Sequence, residues 1–127
     1  MKAMKKLLLS LSLTALFAVG MLVGANTFGQ PQTVLHVITV KFKADSTPAQ
    51  QQAALDGVRK MASEVPGIKN VWLKKIKVQP ADFSTVIAME FESKAAFEAY
   101  TLSPAHKAWE AVYLPIREQS TTHDVTN

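Results

Sequence analysis

Three side chains in this sequence combine chemical competence with a setting that could use it: His36, Tyr100 and His106. A neutral imidazole can take a proton from the carbon next to a carbonyl, and a phenol can donate a hydrogen bond to the enolate that results. His106 follows Ser103-Pro104 by about three residues, so it falls in the first turn of a helix restarted there, whose positive end favours the uncharged ring. The remaining histidine, His123, lies in a polar terminal stretch and reads as solvated. Other chemistries lack their residues. With no cysteine there is no disulfide, thiolate nucleophile or Cys-ligated metal. No His-x-His or His-x-x-x-His pair occurs, so no bound metal is expected. No serine has the glycine context of a nucleophile elbow. Trp72, Phe97, Trp109 and Tyr113 are spaced as core or interface aromatics, and no cofactor is expected.

The charge is unevenly distributed. The 127-residue chain has a formal charge of +4, but Lys2, Lys5 and Lys6 sit in an acid-free tail, and without them 11 basic residues face 10 acidic ones. A near-neutral body with no Lys/Arg stripe among aromatics excludes a nucleic-acid partner. The three lysines precede an apolar stretch from Leu7 to Val23, followed by Gly24-Ala25. This is the order of a signal peptide over 1–25, cut after Ala25, with Gly29 or Gln30 as later sites and an uncleaved anchor as the alternative. Without a cysteine for a lipid anchor, the reading is an exported protein, periplasmic or secreted, with no stable membrane association after cleavage. A linker over 26–33 would lead into one domain over 34–127.

The elements that must position the three side chains follow from periodicity. Val34 to Lys43 alternates, with Val34, His36, Ile38, Val40 and Phe42 on one face and Leu35, Val37 and Thr39 on the other. Thr47 as N-cap, Pro48 at the first helical position and Gln50 at the capping-box spacing start a helix. Leu55, Val58, Met61, Ala62 and Val65 give it an apolar stripe, and Pro66-Gly67 ends it. Strands are predicted over Ile68 to Val78, where Lys74, Lys75 and Lys77 suggest a solvated edge, and over Thr85 to Phe91. Ser93 caps a helix carrying Phe97 and Tyr100, Ser103-Pro104 restarts it, and Trp109, Val112 and Tyr113 continue it. A last strand is read over Glu118 to Val125. The order β-α-β-β-α-β is the ferredoxin-like α+β arrangement, an antiparallel four-stranded sheet with its helices on one face. Leu35, Val37 and Thr39 then leave the other face too apolar for water, and a homodimer joined sheet to sheet is expected.

Four local patterns in this order carry a family resemblance. The strand VLHVITVKFK with histidine third, Pro66-Gly67-Ile68 after the first helix, Phe91-Glu92-Ser93 before the second, and Tyr100 followed by Ser103-Pro104-Ala105-His106 resemble the stress-responsive dimeric α/β-barrel (Dabb) domain over roughly Val34 to Val125. The resemblance implies a ferredoxin-like protomer and a dimeric barrel. To a plant polyketide-cyclase branch of that family the chain is similar at His36, Tyr100 and His106. Leu55, Leu102 and Val112 match pocket-lining positions, and Val58 stands where that branch has a tyrosine.

Two functions are therefore expected. The first is an exported, dimeric binding module that takes a small apolar or phenolic molecule into a pocket between sheet and helices, lined by Val40, Leu55, Val58, Leu102 and Val112, with His36, Tyr100 and His106 as its polar tips. The alternative is a cofactor-free enzyme with His106 as general base and Tyr100 and His36 assisting. It would be polyketide-cyclase-like, an isomerase, or a monooxygenase of the related dimeric αβ-barrel type.

Overall fold

The computed structural model describes residues 31–127. The expected signal peptide, its cleavage site and most of the linker lie outside these residues. The elements run β1 (Val34–Phe42), α1 (Pro48–Glu64), β2 (Ile68–Trp72), β3 (Thr85–Phe91), α2 (Lys94–Leu102), α3 (Pro104–Tyr113), a 3-10 turn (Leu114–Ile116) and β4 (Arg117–Thr126). All strand pairs are antiparallel, in the sheet order β2-β3-β1-β4. This is the ferredoxin-like fold. No helix among the described residues is long and apolar enough to cross a membrane.

Strict alternation decides what β1 faces. Val34, His36, Ile38, Val40 and Phe42 are buried while their neighbours are half-buried. The buried row meets Ile87, Met89 and Phe91 of β3 beneath the helices. α1 begins as its sequence demands: the Gln50 amide donates to Thr47 Oγ1 (3.1 Å) and the Thr47 amide donates to Gln50 Oε1 (2.8 Å), closing the capping box ahead of Pro48. Its buried side chains are Ala54, Val58 and Met61. Gly67, at φ 88°, turns the chain into β2, where a Cβ would stand 2.6 Å from that of Ala96.

One element is shorter than its sequence suggests. β2 stops at Trp72 rather than Val78, and an irregular segment containing a cis Gln79-Pro80 bond leads to β3. Strand β2 pairs on one side only, and Lys74, Lys75 and Lys77 offer no apolar face to hold a longer ladder on the core. Ile76 is fully exposed between them.

The helices are locked by an indole. Trp109 of α3 donates its Nε1 hydrogen to the carbonyl of Ala54 on α1 (2.9 Å) and stacks on Tyr113 with ring centroids 4.4 Å apart. Gly57 leaves room for it, since a Cβ there would lie 2.9 Å from Trp109 Cδ1. Two effects compete in Gly57→Ala: the helix gains roughly 1 kcal/mol in propensity, and overpacking a pinned ring costs about 1–3 kcal/mol. We expect the second to win, with a net loss of about 1 kcal/mol in urea denaturation. A gain in stability would show that the indole moves freely.

Candidate active site

The restart at Ser103-Pro104 positions two of the three chemical side chains. Ser103 ends α2 and caps α3 at once: its hydroxyl donates to the Tyr100 carbonyl (2.8 Å) and accepts the His106 amide hydrogen (3.1 Å). Pro104 fits the first turn of α3, where no amide hydrogen is needed. The Tyr100 and His106 rings consequently lie 4.6 Å apart between centroids. His36 approaches Tyr100 from the sheet, with its ring centroid 6.2 Å away and tilted nearly edge-on. Phe97 lies 5.2 Å from His36, and Phe91 lies 4.9 Å from Tyr100. The Tyr100 ring thus neighbours both imidazoles within an aromatic cluster.

Both imidazoles are held through Nδ1. His36 Nδ1 meets Asp124 Oδ1 at 2.5 Å, across the register pair that joins β1 to β4. His106 Nδ1 meets the Thr101 carbonyl at 3.2 Å, and its Nε2 lies 3.8 Å from Glu110 Oε1, beyond hydrogen-bond reach. A carbonyl can only accept, so in the neutral His106 ring Nδ1 carries the hydrogen and Nε2 the lone pair. In the neutral His36 ring the Asp124 carboxylate imposes the same tautomer.

Tyr100 is the deepest of the three, 1 % exposed, and its hydroxyl is buried without a hydrogen-bond partner. Burial first, and then the nearby charges of Glu110 and Asp124, hold its pKa well above the ordinary phenol value of 10.0. At neutral pH it is a donor in search of an acceptor. Strand β4 is polar and exposed: the side chain of Asp124 is 45 % exposed, and Thr122 on the same face is exposed as well.

The apolar positions divide. Val40 and Val58 are fully buried beneath the helices, and Leu55 is half-buried against the same core. Leu102 and Val112 are corrections to the expected lining. Leu102 is 76 % exposed, because two residues beyond Tyr100 is about 200° around the helix. Val112 is 47 % exposed and borders a shallow groove of about 190 Å³ with Gly57, Lys60 and Trp109 instead. A larger groove of about 820 Å³ runs between the α1 end and the α2–α3 junction, lined by Val65, Pro66, Ala96, Ala99 and Pro104 among others. Neither groove is lined by His36, Tyr100 or His106.

Sequence reasoning missed Asp124 and Glu110. The spacing His106-x-x-x-Glu110 on one helix face signals the second. Nothing local signals the first, since only the β1–β4 register brings Asp124 to His36. Among the described residues no group of three His, Asp or Glu side chains could hold a metal ion.

The profile of the stress responsive A/B barrel domain, Dabb, matches residues 34–127. The chain belongs to the Dabb family. Olivetolic acid cyclase of Cannabis sativa is 28% identical over 96 residues, which span 73% of this chain and 95% of the cyclase. Among solved structures, the hydroxynitrile lyase of Passiflora edulis superposes with a TM-score of 0.69 at 17% identity, covering 77% of this chain and 95% of the lyase. A dimeric ferredoxin-like protein of unknown function from Thermobifida fusca gives 0.67 at 17% identity, covering 77% of this chain and 93% of its own. At such identities the structures attest the fold alone.

The junction serine and the buried phenol each have a measurable consequence. Ser103→Ala removes both hydroxyl bonds at the junction and should lower stability by about 1–2 kcal/mol in denaturant titration. The His106 ring resonances should shift in the same variant, as its helix start loosens. The second concerns alkali. Unfolded Tyr100 ionises near pH 10 while the folded phenol keeps its proton, so the unfolded state loses protons first and stability falls as pH rises above about 10. Tyr100→Phe should flatten that fall, as read from Tm between pH 8 and 11; an unchanged slope would mean that the phenol is not held protonated.

Proposed function

We propose that this Dabb protein binds a small, mostly apolar molecule bearing an acceptor oxygen, and that it does so through the Tyr100 hydroxyl flanked by His36 and His106. The buried, unpartnered phenol carries this reading. A donor left without a partner in a low-dielectric interior is destabilising, and a carbonyl or phenol oxygen entering along β4 would satisfy it. The aromatic surround of Phe91, Phe97 and Tyr100 suits an apolar or phenolic body. The Cannabis relative is by name a cyclase and the Passiflora neighbour a lyase, which agrees with small-molecule work on this scaffold.

One observation favours a second reading, a cofactor-free proton transfer. With Nδ1–H on the Thr101 carbonyl, the neutral His106 ring has its lone pair on Nε2, and that ring lies 4.6 Å from the Tyr100 ring. In this scheme Nε2 takes a proton from the carbon next to a substrate carbonyl, Tyr100 donates to the enolate oxygen, and His36, steadied by Asp124, provides a second proton-handling group. The substrate would be a ketone or phenol precursor undergoing ring closure or isomerisation.

The assembly proposed is a homodimer through the outer sheet face. Leu35, Val37 and Ala88 on that face are only half-buried, and Trp72 is 44 % exposed beside Leu35 and Val125 around a depression of about 400 Å³. Covering it with a second copy buries the apolar surface that the helices cannot reach. The Thermobifida neighbour, described as dimeric, agrees. Export rests on residues 1–25 as read from the sequence, with cleavage near Ala25.

His106→Ala separates the readings. A binder, whose main polar contact is the Tyr100 hydroxyl, should keep most of its affinity for the small molecule that co-purifies with the native protein, whereas an enzyme should lose ~100-fold or more in rate on it. Native mass spectrometry of protein from its own cell identifies the ligand. For the assembly, light scattering at micromolar concentration should give a dimer, and Val37→Lys should give a folded monomer. A wild-type monomer would remove the sheet-face interface.

A further inference from the structure

Beyond the N-terminal tail the chain has 11 basic and 10 acidic residues, and four of the bases but none of the acids fall between Ile68 and Val78. That strip is cationic on a body that is otherwise acidic, with 7 bases against 10 acids. Several bases elsewhere are taken up within the fold: Lys41 reaches Asp82 and Glu118, Arg59 holds Asp56, Lys60 holds Glu64 and Lys94 reaches Glu98. The side chains of Lys74, Lys75 and Lys77 are exposed and have no ion-pair partner among the described residues. Asp82, the one acid between Leu73 and Ser84, is occupied by Lys41. The apolar residues of the same segment divide. Phe83 is buried, Leu73 packs against the core and Val78 is half-buried, while Ile76 stands fully exposed at a bend between the lysines. A large aliphatic side chain is thus held in water at a cationic tip whose flanks are fixed to the domain.

We propose that residues 74–77 form a docking tip for an anionic lipid surface, in which Ile76 enters the boundary between headgroups and acyl chains and Lys74, Lys75 and Lys77 meet lipid phosphates. The charge and the apolar residue both select this partner. A bilayer accepts a lone aliphatic side chain without a matching pocket and places negative charge around it. A protein partner would need about 800 Å² of complementary surface on each side, which a tip of one aliphatic residue among lysines does not present. A nucleic acid would attract the lysines, but its bases need an aromatic plane to stack on, and Ile76 has none. Attachment of this kind is reversible and sensitive to salt, since three lysines and one aliphatic side chain fall far short of an anchor. None of residues 74–78 lines the depression beside Trp72, so docking leaves that part of the sheet face free for a second copy. The inference is independent of any ligand held at Tyr100.

The test measures sedimentation of the full chain with vesicles of phosphatidylcholine alone and of equimolar phosphatidylglycerol and phosphatidylcholine. At low salt the wild type should bind the anionic vesicles and leave them as salt is raised. Each lysine near such a surface contributes about fivefold, so replacing Lys74, Lys75 and Lys77 together by glutamine should weaken binding ~100-fold with Tm unchanged. Because every variant keeps the same N-terminal tail, any binding by the tail is common to all, and anionic-vesicle binding that survives the triple replacement overturns the proposal. Entry of the tip is read separately. The chain has no cysteine, so Ile76→Cys carries a single environment-sensitive dye, whose emission should shift to the blue on anionic vesicles while the same dye on Gln52→Cys in α1 does not. An unshifted dye at position 76, or equal shifts at both positions, overturns the proposal. So does binding of a single-stranded oligonucleotide in preference to the anionic vesicles, which would make the strip a polyanion site.

Discussion

The Ser103 hydroxyl, donating to the carbonyl of Tyr100 and accepting from the amide of His106, is the interaction on which the arrangement of the site depends. In an uninterrupted helix, residues six apart are separated by about 240° around the axis and cannot attend to one space. Proline at 104 forbids the continuous hydrogen-bond ladder, and serine turns the resulting gap into a cap for the next helix. The second helix therefore starts on a new axis that returns His106 to within ring contact of Tyr100. Trp109 then anchors that axis to α1 through the Ala54 carbonyl, and Tyr113 is carried inward behind it.

The sheet completes the site by an unequal division of labour among its strands. Strands β1 and β3 bury one face under the helices, so His36 enters a dry interior. Strand β4 is polar and exposed along most of its length, and it offers Asp124 to His36 at the margin of that interior. A carboxylate at the rim can stay hydrated while fixing the ring beneath it, which avoids the heavy desolvation of a fully buried ion pair. The interior consequently holds hydrogen-bond donors without partners, the phenols of Tyr100 and Tyr113, next to imidazoles whose tautomers are set from outside. Such an interior is poorly optimised for stability alone, as sites for ligands commonly are. Because the fold supports different chemistries, these few groups decide what the protein can do.

Much of this was legible in the residues. Alternation in Val34 to Phe42, the capping box at Thr47 and the Ser103-Pro104 restart are local signals with local causes, and each element formed where its signal stood. Strand β2 stops at Trp72, short of the expected Val78, because apolar residues continue past Trp72 while a ladder partner does not, and pairing is a property of two segments. Only the family resemblance places Leu102 and Val112 in the lining, and the helical angle from Tyr100 sends Leu102 to solvent.

The sequence by itself determined the order of elements, the buried face of β1 and the presence of Tyr100 and two histidines capable of acid–base work, since propensity, capping and periodicity act over a few residues. Only the tertiary structure decided that Asp124, 88 residues from His36, orients its ring, and that two phenols share an interior without partners. Those facts depend on the register of β4 against β1 and on the axis of a helix pinned by an indole, which are set by packing between distant segments and leave no mark in any local pattern.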